Sequence, residues 1–268
     1  MDMRRLRTGT LARVCGGTKD MVNKRLTARA ALWRKSLSAQ ARLASWQSLA
    51  RTGRRLIFAK VRQAMTIRLH RGDLPADFDP GPILAVDTET LGLNPQRDRL
   101  CVVQLSRGDG SADIVQIPKD APAPANLCGI LADPKVLKLF HFARFDIAAV
   151  NKAFGIVTAP VYCTKIASKL VRTYTDRHGL KDLVRELLGI DLSKQQQSSD
   201  WGADTLSDAQ LGYAAADVLH LHALKARLDA MLAREGRTHL AEACFHFLPT
   251  RAELDLAGWP EVDIFAHS

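Results

Sequence analysis

A chain of 268 residues with 47% hydrophobic and 25% charged residues can bury a real core, which excludes a disordered or fibrous protein. No run approaches the roughly 18 to 20 apolar residues of a membrane span and no secretory leader opens the chain, so a cytoplasmic protein without a membrane partner is expected. The net charge of +10 is unevenly split: residues 1–64 hold 16 Lys and Arg against Asp2 and Asp20, whereas residues 65–268 hold 22 basic and 26 acidic groups, which argues against a broad cationic surface there and for local phosphate contacts.

The first 64 residues contain many arginines, no proline, and apolar residues loosely spaced at helical intervals between Leu26 and Val61. They are expected to form a separate basic extension, helical or disordered. A nucleic-acid-binding or targeting helix, a poorly ordered tail and a translated upstream region that the natural protein lacks all fit it. The favoured natural start is Met65, directly before the core pattern begins, and the working part is expected to be residues 65–268. The five cysteines lack C-x-x-C or histidine spacing, so neither a zinc site nor a disulfide framework is indicated.

From Gly81 onward, short apolar runs bounded by turn residues predict strands over Ile83–Val86, Leu100–Leu105, Asp113–Ile117 and Val136–Phe140. Helical periodicity predicts helices over about 125–132, 142–153, 164–173, 180–188 and 208–233. Strands followed by alternating helices imply an α/β domain with a mixed sheet flanked by helices.

Three of these elements carry acids. The first strand runs into Asp87-Thr88-Glu89, and carboxylates at i and i+2 of a strand point to one face. Two anions side by side at the end of an apolar strand call for a cation, though a lone D-x-E also fits a strand entering solvent. Asp146 falls in the first turns of the helix after Val136–Phe140, where it could simply favour the helix dipole. Ser207-Asp208-Ala209-Gln210 has the form of a capping box, so Tyr213 and Asp217 lie four apart on one helix face. Together, four carboxylates and one phenol from three elements suffice to hold two divalent ions for phosphodiester hydrolysis. In that reading Asp87 bridges the ions, Glu89 and Asp217 hold the ion that activates water, Asp146 holds the other partly through water, and Tyr213 orients the attacking water.

Asp87-Thr88-Glu89, the Asp146 segment and Tyr213-x-x-x-Asp217 resemble, in order and spacing, the three exonuclease motifs of the RNase D-like DEDD superfamily in its tyrosine variant. His178-Gly179-Leu180-Lys181-Asp182-Leu183 and Ser199-Asp200-Trp201 add to the likeness. Leu91-Gly92-Leu93-Asn94-Pro95, Cys163-Thr164-Lys165-Ile166, Thr173-Tyr174-Thr175-Asp176-Arg177-His178-Gly179, Ser193-Lys194-Gln195-Gln196-Gln197 and Asp263-Ile264-Phe265-Ala266-His267-Ser268 resemble the short bacterial nanoRNase C group. The resemblance implies an RNase H-like exonuclease fold and two Mg²⁺ or Mn²⁺ ions. It further implies 3′→5′ exoribonuclease activity on very short RNA, down to dinucleotides, and a ring-shaped homo-oligomer, an octamer.

Leu93, four residues past Glu89, matches the apolar wedge that related exonucleases place between the last two bases; a loop-anchoring role also fits. Lys165, Arg177, His178, Lys194 and Gln197 are candidate phosphate contacts, and Thr90 and His141 candidate substrate contacts beside the acids. Trp201 could stack on a base or pack in the core. Three alternatives stay open: RNase D-like trimming of longer or structured RNA, a DNA exonuclease, and a nucleic-acid-binding module that has lost catalysis. No obligate protein partner is evident.

Overall fold

The computed structural model describes residues 66–193, 196 and 198–267. The expectations for residues 1–64 and for the Met65 start, and those for Lys194 and Gln197, lie outside the described residues.

Six strands form one mixed sheet in the order β1-β4-β3-β2-β5-β6: β1 Thr66–Arg71, β2 Ile83–Thr90, β3 Leu100–Ser106, β4 Ser111–Gln116, β5 Leu137–Phe140 and β6 Val161–Cys163. Antiparallel pairs join β2 to β3 and β3 to β4, whereas β1 with β4, β2 with β5 and β5 with β6 are parallel. The parallel pairs need crossovers, and helices supply two of them. The helices are α1 Ala125–Ala132, α2 Ala143–Phe154, α3 Thr164–Val171, α4 Leu180–Leu188, α5 Asp208–Leu219, α6 Leu221–Arg234 and α7 Thr238–Leu256. This is the mixed sheet flanked by helices that the sequence implies.

Every residue of β3 and β4 is buried. In β3 the near-continuous apolar run follows from cover on both faces, whereas β4 also buries Ser111, Asp113 and Gln116. On one face α5 packs over β2, β3 and β4, where Ala214 meets Val102, Ile114, Trp201 and Leu206. Its alanines permit that close approach. The larger cluster, from Leu84 through Val103, Leu105 and Val115 to Ile147, Val150 and Leu228, fills the remainder of the core.

The single helix predicted over 208–233 is two. His220, at φ −104° and ψ −5°, ends α5 and begins α6. The apolar stripe of α6 (Leu221, Leu224, Leu228, Leu232) continues the periodicity of α5, so pattern alone does not reveal the break. The two helices have different neighbours: α5 lies on the sheet and α6 against α3 and α4. The β1 and β6 edge strands and α7, which tolerates Pro249 internally, were not anticipated either.

Candidate active site

β2 delivers Asp87 and Glu89 to the face covered by α5, and α5 delivers Asp217 to meet them. Carboxylate oxygens of Asp87, Glu89 and Asp217 all lie within 4.8 Å of one another. The register of α5 is fixed at its start, where the Ser207 hydroxyl accepts from the Gln210 backbone N–H at 3.3 Å and the Gln210 side-chain oxygen accepts from the Ser207 N–H at 3.0 Å. This capping box is the one read from the sequence. Tyr213, one turn before Asp217, hydrogen-bonds to it.

Asp146 stands outside the tightest trio but belongs to the same electrostatic cluster. It sits in the first turn of α2, 3% exposed, and its Oδ1 accepts from the Thr88 hydroxyl at 2.7 Å. Thr88 thus ties the strand that carries Asp87 and Glu89 to the helix that carries Asp146. Gln104 on β3, fully buried and directly opposite Asp87 in the sheet register, donates from Nε2 to Asp87 Oδ2 at 2.7 Å. Sequence reasoning missed both. A lone glutamine inside Leu-Cys-Val-Val-Gln-Leu-Ser was the available signal for Gln104, because a buried amide requires a partner.

Gathering four carboxylates, Asp146 buried and the other three half-buried, is costly unless they are neutralised. Burial, then Asp146, Asp217 and Glu89 in turn, hold the Asp87 carboxyl well above the ordinary range. Burial together with Asp217 and Asp146 pushes Glu89 up to about 9. Asp146 rises to about 7, burial outweighing the Thr88 hydrogen bond that pulls it down. Burial and Asp217 also lift the Tyr213 phenol well above its usual 10. A divalent cation relieves this repulsion, and an all-carboxylate donor set suits a hard ion such as Mg²⁺ or Mn²⁺ rather than a softer one.

Around the acids, Leu93 is 87% exposed on the loop after β2, and the Thr90 hydroxyl donates to the Gly92 carbonyl nearby. His141 is half-buried between the end of β5 and α2. The Thr164 hydroxyl donates to the Phe140 carbonyl at 3.1 Å, so the 2.9 Å contact between Thr164 Oγ1 and His141 Nδ1 is an imidazole N–H donating, which makes Nε2 an acceptor. Burial and the Lys165 charge hold His141 down at about 3, a neutral ring. His178 Nδ1 pairs with the Ser168 hydroxyl at 2.9 Å, and Arg177 is exposed on the same loop. The buried Arg172 pins that loop by donating to the Arg177 carbonyl at 2.6 Å and pairing with Glu186.

Of the two readings open for Trp201, base stacking and core packing, the structure shows the core and removes Trp201 from the candidate substrate contacts. It is 3% exposed and packs against Tyr213 with ring centroids 6.0 Å apart, so its faces are not available to a base. Its place is in the small core cluster beneath α5, where it supports the tyrosine. A cavity of about 970 Å³, lined by apolar residues such as Val161, Leu232 and Phe245 together with Lys225, Asp229 and Glu242, holds none of the five candidate catalytic residues.

A family model described as 3′-5′ exonuclease matches residues 75–233, the segment that holds all of these groups. The chain belongs to the 3′–5′ exonuclease family. Within that family it is 63% identical to Brucella melitensis NrnC, with a TM-score of 0.74 over 76% of this chain and the whole of that one. The same Brucella melitensis protein has been solved bound to pGG and with bound Mg²⁺. A second family member, ribonuclease D of Acidiphilium cryptum, is 40% identical over 158 residues, which are 58% of this chain and 39% of that protein. The chain thus spans about two fifths of the length of the curated ribonucleases D that it matches. Escherichia coli RNase D shares the fold at 26% identity and a TM-score of 0.57, covering 64% of this chain and 45% of that one. The Asp87, Glu89 and Asp217 cluster of this chain fits a divalent metal on its own geometry.

Proposed function

We propose that this chain is a metal-dependent 3′→5′ exoribonuclease that hydrolyses very short RNA, down to dinucleotides, to 5′-mononucleotides. The observation that carries the reading is the convergence of Asp87, Glu89 and Asp217 within 4.8 Å. Asp87, Glu89 and Asp217 would hold one divalent ion, and Asp146 with Asp87 a second, partly through water. When bound, the ions supply the positive charge and Lewis acidity that phosphodiester hydrolysis needs. Tyr213, its phenol held protonated at neutral pH, acts through its hydrogen bonds: its O–H donates to Asp217, and its oxygen accepts from and orients the attacking water. His141 Nε2 accepts from a substrate hydroxyl. Leu93, Thr90, Lys165, Arg177 and His178 line the approach, with Lys165 and Arg177 meeting phosphate; Lys194 and Gln197 are proposed for the same role.

Short substrates are supported by the likeness to NrnC along that protein's whole length, and by the pGG bound there. The likeness to ribonuclease D over the nuclease segment favours a second reading, the trimming of longer RNA. One experiment separates them: hydrolysis with Mn²⁺ of labelled 5′-phosphorylated RNAs of increasing length by wild type and by Asp87→Asn. Fast loss of dinucleotides with slow trimming of long chains, abolished in the variant, is expected. The reverse length ranking would favour the second reading, and equal, absent turnover in both proteins a binding module.

A homo-oligomeric ring is proposed on the same footing, and the exposed apolar groups Trp259, Val262, Ile264 and Phe265 near the end of the chain suit burial against another copy. Light scattering tests it. Among the described residues no helix is long and apolar enough to cross a membrane, in keeping with the cytoplasmic location proposed here. Residues 1–64 are proposed as a separate basic extension to a nuclease part of 65–268; the mass of the native protein would distinguish Met1 from Met65 as the first residue.

A further inference from the structure

Phe142 combines features that a purely structural residue does not need. It precedes α2 in a left-handed backbone conformation, φ 72° and ψ 42°, a region that a bulky side chain occupies only at a cost. Burial of the ring does not offset that cost, since Phe142 is 44% exposed. The Lys165 ammonium lies 4.1 Å from the ring centroid. Phe142 also lines, with Leu93, Pro95, Arg144 and Phe145, a depression of about 250 Å³ that is closed on its far side by residues of the 255–261 segment and adjoins the five candidate catalytic residues without containing them, Ala148 of its wall lying two residues past Asp146. Its position is four residues before Asp146, between His141 and the helix that presents that carboxylate.

We infer that Phe142 is a stacking platform for a nucleobase of the substrate, with Leu93 in the same depression bounding the base and Lys165 fixing the ring from one side. The inference rests on the nuclease reading proposed above. The left-handed turn aims the ring outward from the start of α2, where an ordinary helical entry would fold it back along the helix. The cation restricts the ring while leaving part of its surface to solvent, and an aromatic face accepts any base. The ligand class is therefore a purine or pyrimidine ring of a short oligonucleotide, bound without sequence readout. Backbone strain of this kind collects at ligand-binding sites, and an exposed aromatic held in it fits a face that a ligand covers.

The test is steady-state hydrolysis of 5′-phosphorylated diguanylate in Mn²⁺ by wild type, Phe142→Ala, Phe142→Gly and Phe142→Tyr, with thermal melts and light scattering on each. Phe142→Ala and Phe142→Gly should raise KM about ten-fold with kcat kept within about three-fold, and Phe142→Tyr should restore KM. Phe142→Gly should melt no lower than wild type, since glycine relieves the positive φ. A KM within two-fold of wild type in Phe142→Gly overturns the inference, as does a Tyr variant as defective as Ala, or a change of oligomeric mass with KM unaltered. Absence of turnover in the wild type would instead remove the nuclease reading, and this inference with it.

Discussion

Gln104 Nε2 donates to Asp87 Oδ2 across 2.7 Å, from the strand position directly opposite it in the sheet. The amide occupies one oxygen of Asp87, fixing which way that carboxylate faces the other acids. The partner oxygen of the amide, Gln104 Oε1, is buried without a hydrogen bond among the described residues. Replacing Gln104 by Leu removes both the donor and this orphan acceptor. The expected outcome is Mn²⁺ affinity weakened about ten-fold, the scale seen when an outer partner of a metal ligand is lost, with a metal-free melting temperature no lower than wild type. Titration calorimetry and thermal melts check it, and unchanged affinity would show that the amide does not orient Asp87.

In the proposed mechanism Asp217 binds metal and Tyr213 positions water, and the two roles can be separated. Tyr213→Phe deletes the phenol oxygen and leaves the ring against Trp201 and the carboxylates in place. Turnover should fall about 100-fold while Mn²⁺ affinity changes less than about three-fold. A comparable loss of affinity would make the tyrosine a structural support of Asp217 instead.

The raised carboxyls make stability depend on pH and on metal together. Glu89 moves from an ordinary 4.5 to about 9 and Asp146 from 3.8 to about 7, so between these limits the folded, metal-free protein binds more protons than the unfolded chain. Its stability contribution from these groups therefore falls as pH rises from about 4 to about 9, the reverse of a salt-bridged carboxylate. Divalent ions bind the deprotonated form and release protons. The gain in melting temperature on adding Mn²⁺ should grow steadily from pH 6 to pH 9; a gain that is flat or shrinks over that range would contradict the shifts.

The capping box sets the helix that carries Tyr213 and Asp217. Ser207→Ala should lower stability by about 1 kcal/mol, and turnover should fall further than that loss alone explains, because fraying at the start of α5 loosens its register. Chemical denaturation and a kcat measurement at low temperature, where the fold is saturated, distinguish the two effects.

What could be read along the chain was whatever is encoded locally. The apolar run ending in Asp87 and Glu89, the Ser207–Gln210 cap and the four-residue step from Tyr213 to Asp217 each depend on neighbours within a turn or a strand, and all three stand in the structure as expected. The pairing of Gln104 with Asp87 depends on cross-strand register between residues 17 apart, and the Thr88–Asp146 bond on a crossover spanning 58. No spacing rule announces either. Trp201 illustrates the same limit from the other side, since a tryptophan suits base stacking and core packing equally until its neighbours are known.

The break at His220 and the positive φ of Phe142 are likewise invisible in hydrophobic period, which reports the face a residue occupies and not where the backbone turns. The order of residues thus determined which side chains carry the acid chemistry and on which elements they ride, because periodicity and capping act over a few residues. Only tertiary packing decided that these acids share one site, which partners orient them and how far each proton is held, because burial and the fields of distant charges exist only once the sheet and helices have come together.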